Sequence, residues 1–119
     1  MKHFELSEFD CKCGCADGKG RMDGALLARI DDLREAYGKA MVINCGYRCP
    51  THNAAVGGAK NSTHLLGEAT DIRDIDGSLK KWLTVELLEK FDLYMESPMV
   101  TKTWVHLQTR PTVNRIFKP

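Results

Sequence analysis

Asn61-Ser62-Thr63-His64-Leu65-Leu66-Gly67-Glu68-Ala69-Thr70-Asp71-Ile72-Arg73 is the stretch on which the reading of this 119-residue chain turns. The run 68–73 has the short, β-favouring pattern of a strand, so Asp71 is a carboxylate among neighbours, Ala69, Thr70 and Ile72, that prefer burial. A buried, unpaired charge costs several kcal/mol, so Asp71 calls for a partner or a metal. His64 precedes it by seven residues, at the exit of the segment 45–63, which Gly46, Pro50, Gly57, Gly58 and Asn61 punctuate. Irregular segments of that length in a small domain are usually functional. Far downstream, Thr103-Trp104-Val105-His106-Leu107-Gln108 alternates as a strand with Val105 and Leu107 on one face and Trp104, His106 and Gln108 on the other. Two neutral imidazoles and one carboxylate form a three-ligand set that leaves a fourth tetrahedral position open, as catalytic zinc requires. A hydrogen-bonded polar group in a core is the competing reading of each residue taken singly.

The remaining pattern frames this site. Leu26, Ile30, Leu33 and Tyr37 recur at helical spacing between Asp23 as N-cap and Gly38 as C-terminal stop, which predicts a helix over 24–37. Residues 40–44 read as a short buried strand. Only one short helical turn near Pro50 fits the irregular segment, and Leu79, Trp82, Leu83, Leu87 and Phe91 mark one helix or two short ones. The whole, 1–119, reads as a single α+β domain with a small, mostly antiparallel sheet, helices on one side, and a zinc cleft where the long loop meets strands 68–73 and 103–108. A chain of this length buries roughly two-thirds of its unfolded surface, so a core without obligatory disulfides is within reach.

Composition narrows the function. Lys and Arg total 17 against 16 Asp and Glu, a formal charge of +1, and no basic block exceeds Lys80-Lys81, which argues against nucleic acid as partner. No apolar run approaches membrane-spanning length, and Met1-Lys2-His3-Phe4-Glu5 shows no apolar signal region, so cytoplasmic synthesis and no membrane insertion are expected. A monomer is expected. Cys11, Cys13, Cys15, Cys45 and Cys49 are five, an odd number that forbids complete pairing within the chain. Buried or loosely paired thiols are their default reading, with a second, structural metal ion or one or two disulfides as the alternative.

The ordered set Ser62-x-His64-x-x-Gly67-x-Ala69-x-Asp71, preceded by Ile43-Asn44-Cys45-Gly46-Tyr47-Arg48 and followed by Trp104-Val105-His106, resembles the zinc D-alanyl-D-alanine carboxypeptidase family. Its relatives include phage endolysins that cut cell-wall stem peptides, and its fold is shared with the hedgehog signalling domain. The resemblance runs from Glu8-Phe9-x-Cys11-x-Cys13-Gly14 to His106. It implies one catalytic Zn²⁺ on His64, Asp71 and His106, and a substrate-holding guanidinium at Arg48. It also implies hydrolysis of a peptide bond in peptidoglycan stem peptides, of the D,D-carboxypeptidase or L-alanyl-D-glutamate endopeptidase type. The cell wall would then be reached by phage-type release or in a virion.

The chain departs from that pattern beside His106. Several relatives place an acid three residues before the last histidine ligand, and here that residue is Thr103, with no carboxylate within five residues on either side of His106. The proton-shuttling base is therefore unassigned by motif. Glu96, before the turn that feeds the His106 strand, is the first candidate, provided 93–96 and 103–108 pair as strands, and Glu68 and Asp74 are second choices. Ser62 and Gly67 are expected to shape the loop. Ser62, Trp104 and Gln108 are the candidate substrate contacts beside Arg48. The alternatives to an enzyme are a cell-wall-binding module that keeps zinc without a base, and a structural phage component stapled by zinc.

Overall fold

Asp23 accepts a hydrogen bond from the Leu26 amide, and Gly38 takes the left-handed conformation (φ +72°), so α1 runs Gly24–Tyr37 as the sequence predicts. The computed structural model describes residues 1–13 and 20–118, and Cys15 lies outside them. After a 3-10 turn at Leu6–Phe9, the elements in order are α1, β1 (Ile43–Cys45), α2 (Pro50–Ala55), a 3-10 turn at Thr63–Leu66, and β2 (Ala69–Arg73). They continue with α3 (Ser78–Trp82), α4 (Val85–Phe91), β3 (Tyr94–Glu96), β4 (Trp104–Gln108) and β5 (Ile116–Phe117).

The strands form one sheet in the order β1-β2-β4-β3-β5, antiparallel except for the parallel pair β3 and β5. Ile72, Val105, Leu107 and Met95 point to one face and pack in a single core with Leu26, Ile30 and Leu33 of α1 and with Leu79, Leu83 and Leu88 from the α3–α4 region. Each fully buried leucine or isoleucine there contributes about 1.5–3 kcal/mol relative to exposure. This matches the expected α+β class and mostly antiparallel sheet.

Alternation then fixes the other face. Asp71 pairs with His106 across β2 and β4, Cys45 pairs with Asp71 across β1 and β2, and Glu96 pairs with Phe117 across β3 and β5. Met95 opposes Leu107 in antiparallel register, so the next step brings Glu96 opposite His106. Cys45, Asp71, His106, Glu96 and Phe117 thus form one row across all five strands. Cys45 joins that row because the β1–β2 register shifts between Ile43 and Cys45. Unshifted, the pairing would set Asn44 opposite Asp71 and turn Cys45 to the core face, so the bulge re-aims the thiol.

One sequence expectation shifts, one open alternative is settled, and one strand is added. The strand expected over 40–44 begins at Ile43, the fourth residue of the span, and extends to Cys45. The apolar marks from 79 to 91 belong to two helices, split where Thr84 caps α4 by accepting from the Leu87 amide. The tail supplies β5, whose two residues are too few to carry a periodicity.

Candidate functional site

Loop chemistry delivers His64 to this face. The Ser62 hydroxyl accepts from the His64 amide and starts the 3-10 turn, and Gly67 closes it in the left-handed region (φ +68°). A β-carbon at Gly67 would lie 2.1 Å from the Arg21 carbonyl oxygen, so only glycine fits. Ser62 and Gly67 thus shape the loop as expected.

His64 is 2% exposed, and its Nδ1 lies 2.7 Å from the Gly46 carbonyl oxygen, to which it donates. Nε2 then carries the lone pair. It sits 3.2 Å from Asp71 Oδ1 in a direction that makes no hydrogen bond, a buried nitrogen without a partner. His106 repeats the arrangement in mirror order. Gln108 donates through Nε2 to the Arg110 carbonyl (2.9 Å), which leaves Oε1 to accept from His106 Nε2 (2.8 Å). The His106 lone pair is therefore at Nδ1, 3.0 Å from the same Asp71 Oδ1. The two rings stand 5.1 Å apart at 78°. Two lone pairs and a carboxylate oxygen cannot face one another at these distances without a cation among them, either a proton or a metal.

Without a metal, a proton fills that need. Burial disfavours a charged His64, but Asp71 and Cys45 outweigh it and raise the imidazole from 6.5 to about 9. Burial likewise opposes the Asp71 carboxylate, and His106 and His64 overcome it, holding the acid well below the usual carboxylate range. The donor set fits zinc: two imidazole nitrogens oriented by acceptors on their far sides, plus one carboxylate, all borderline or hard donors.

Arg48 lies over the same carboxylate, with Nη2 3.8 Å from Asp71 Oδ2. Its Nη1 donates to Asn53 Oδ1 (2.9 Å), its Nε donates to Cys45 Sγ (3.2 Å), and its amide donates to the His64 carbonyl (3.1 Å). Asn53, buried in α2, is fixed in turn by donating to the Ala59 carbonyl. A β-carbon on Gly58 would fall 2.1 Å from Asn53 Oδ1 and 2.5 Å from Arg48 Nη1, so this glycine leaves the room the guanidinium occupies. For Cys45, burial opposes the thiolate, but His64 and Arg48 lower the thiol below its usual value. Cys45 gathers with His64 and Asp71, apart from the group that Cys11, Cys13 and Cys49 form. The expectation that groups it with them is corrected by the β1 bulge.

Arg48, Gly58, His64, Asp71 and His106 line an open cleft of ≈ 450 Å³ that also takes in Ser62, Glu96, Trp104, Gln108 and Phe117. Glu96 thus shares the cleft with His64, Asp71 and His106. Neither second-choice acid does. Asp74 caps α3, accepting from the Leu79 and Lys80 amides and pairing with Lys80 Nζ, and Glu68 pairs with Arg110 at the surface. Gln108, expected as a substrate contact, spends its amide on His106, Arg110 and the Thr63 hydroxyl. Sequence reading misses Asn53, Gly58 and Phe117. A buried polar residue in a helix of six carries no periodic signal, and Phe117 reaches the cleft through an unforeseen strand.

Comparison with known proteins adds two findings. The family model described as Peptidase M15 matches residues 2–108. A 45-residue stretch is 42% identical to a zinc D-Ala-D-Ala carboxypeptidase of Streptomyces albus G, covering 37% of this chain and 18% of that protein, less than a fifth of the relative's length.

Proposed function

Because the chain belongs to the Peptidase M15 family, we propose that it is a zinc-dependent peptidase that hydrolyses a peptide bond in peptidoglycan stem peptides. The observation that carries this reading is the convergence of the His64 and His106 lone pairs on Asp71 Oδ1, each ring oriented by an acceptor on its far nitrogen. His64 Nε2, Asp71 and His106 Nδ1 would hold the ion. Bound there, zinc supplies a Lewis acid that acidifies water and polarises a scissile carbonyl.

The chain's own residues supply the rest. Arg48 presents a planar donor fork at the cleft, suited to a stem-peptide carboxylate or to the charge that develops on the scissile oxygen. Asn53 and Cys45 hold the fork in place. Glu96, on the row beside His106, is the carboxylate that takes a proton from the attacking water and returns it to the leaving amine. Gly46 and Gln108 keep both lone pairs aimed inward. Trp104 and Phe117 wall the cleft. Carboxypeptidase and L-alanyl-D-glutamate endopeptidase action use the same residues, and a phage or prophage lysin is the setting we attach to them.

Mass spectrometry of peptidoglycan and of isolated stem peptides, incubated with zinc-loaded protein and with a chelated control, tests the proposal. Chelator-sensitive fragments are expected, and their masses name the bond. A protein that contains zinc at this centre and releases no fragment would overturn the enzyme reading in favour of a binding module.

A further inference from the structure

The N-terminal strip and the start of α2 bring three sulfurs together away from the residues of the cleft. Cys13 Sγ lies 3.3 Å from Cys11 Sγ and 3.5 Å from Cys49 Sγ, and the three sulfurs lie within 4.8 Å of one another. A disulfide requires a separation of about 2.05 Å. Around a tetrahedral zinc with Zn–S bonds of about 2.3 Å, neighbouring sulfurs stand about 3.8 Å apart. The observed spacing is nearer the edge of that tetrahedron than a covalent bond.

The backbone treats two of these sulfurs as acceptors. The Cys49 amide donates to Cys11 Sγ (3.3 Å), and the His52 amide donates to Cys49 Sγ (3.4 Å). An anionic sulfur is the better acceptor in such bonds. Cys11 and Cys49 are buried, so thiolates there need positive charge at close range, which a divalent ion bound by all three supplies.

We propose that Cys11, Cys13 and Cys49 form a second, structural zinc site, separate from the His64–Asp71–His106 centre. Binding is a ligand exchange without redox chemistry: the three thiols release their protons to solvent as the Zn–S bonds form. Three thiolates select zinc over calcium, magnesium or manganese. The ion ties together two segments that the Tyr47 amide to Phe9 carbonyl bond (2.9 Å) and the close packing of Phe9 on Gly46 also join. Cys49 directly follows Arg48, so the second ion anchors the segment that carries the cleft guanidinium.

Metal analysis of the full chain, grown in zinc and purified under reducing conditions without chelator, tests this independently of any peptidase activity. Two zinc ions per chain are expected. The double variant His64→Ala/Asp71→Ala should keep one, and its cobalt-substituted form should show sulfur-to-cobalt charge-transfer absorption in the near ultraviolet. Cys11→Ser/Cys49→Ser should lose that ion. If this buried pair fails to fold, Cys13→Ser, at an exposed position, should weaken zinc binding at least tenfold in competition with a chelator while keeping the native circular dichroism. A His64→Ala/Asp71→Ala protein that folds without zinc would overturn the site. So would unchanged affinity in folded Cys13→Ser, or a native mass two hydrogens light with two of the three cysteines refusing alkylation.

Discussion

Replacing Gln108 by leucine removes the acceptor that sets the His106 tautomer. In the native protein Gln108 is 5% exposed and its amide bonds His106 Nε2 (2.8 Å), the Thr63 hydroxyl (3.2 Å) and the Arg110 carbonyl (2.9 Å). The leucine leaves His106 Nε2–H buried against an apolar side chain, at a cost of about 1–3 kcal/mol. The ring can then relieve that cost by moving its proton to Nδ1, which closes the lone pair facing Asp71. Loss of an oriented outer-shell partner typically weakens metal binding by about 10–100-fold. That is about 1.4–2.7 kcal/mol. Competition with a chromophoric chelator at neutral pH measures it on the His64–Asp71–His106 centre, with the cysteine site removed by substitution. Gln108→Glu restores an acceptor at the same reach and should recover most of the affinity, which separates tautomer control from a packing effect. Native zinc affinity in a folded Gln108→Leu protein would refute the tautomer argument.

Three further outcomes follow from the same geometry. Glu96→Gln should keep its zinc and lose about 10²–10⁴-fold in kcat on stem peptides, and native turnover would remove Glu96 as the proton carrier. Gly58→Ala drives a methyl group into Asn53 and Arg48 and should lower kcat/KM by about 10–100-fold, the worth of a charged hydrogen bond, with zinc content unchanged. Chelated protein should melt lower at pH 9.5 than at pH 6.5. The His64 proton is bound more tightly in the folded state, so its contribution is complete below the unfolded value near 6.5 and is lost as pH rises through about 9. The rise corresponds to roughly 3 kcal/mol at most. The depressed Asp71 contributes above its unfolded value and is lost only in acid. Zinc competes with the His64 proton, so zinc binding should tighten across the same interval and reverse the trend. Parallel melting curves with and without zinc would contradict this linkage.

The parts of the molecule legible in the sequence are those whose signal is local. The helix Gly24–Tyr37 shows because an Asp cap, a four-residue apolar stripe and a terminal glycine agree, and the strands carrying Asp71 and His106 show because alternation puts polar atoms on one face. His64, Asp71, Glu96 and His106 were each legible as polar groups in settings that ask for an explanation. The row that Asp71, His106 and Glu96 share with Cys45 and Phe117 was not, since it depends on strand order and, for Cys45, on the bulge at Ile43–Cys45, which a sequence does not display. Gln108 illustrates the limit most directly. Its position on the cleft face is readable from alternation, but that its amide is consumed by His106 depends on where the Arg110 carbonyl and Thr63 hydroxyl arrive. Asn53 and Phe117 reach the site through a short helix and a two-residue strand, neither long enough to impose a pattern.

On the proposed reading, one metal ion sits where both imidazole lone pairs meet the Asp71 carboxylate. Anomalous diffraction at the zinc edge, from crystals of zinc-loaded protein, tests it most directly. A peak is expected about 2.0–2.2 Å from His64 Nε2, Asp71 Oδ1 and His106 Nδ1, with Gly46 and Gln108 still bonded to the far nitrogens. No peak there, or a zinc bound through His64 Nδ1 with the Gly46 contact broken, would contradict it.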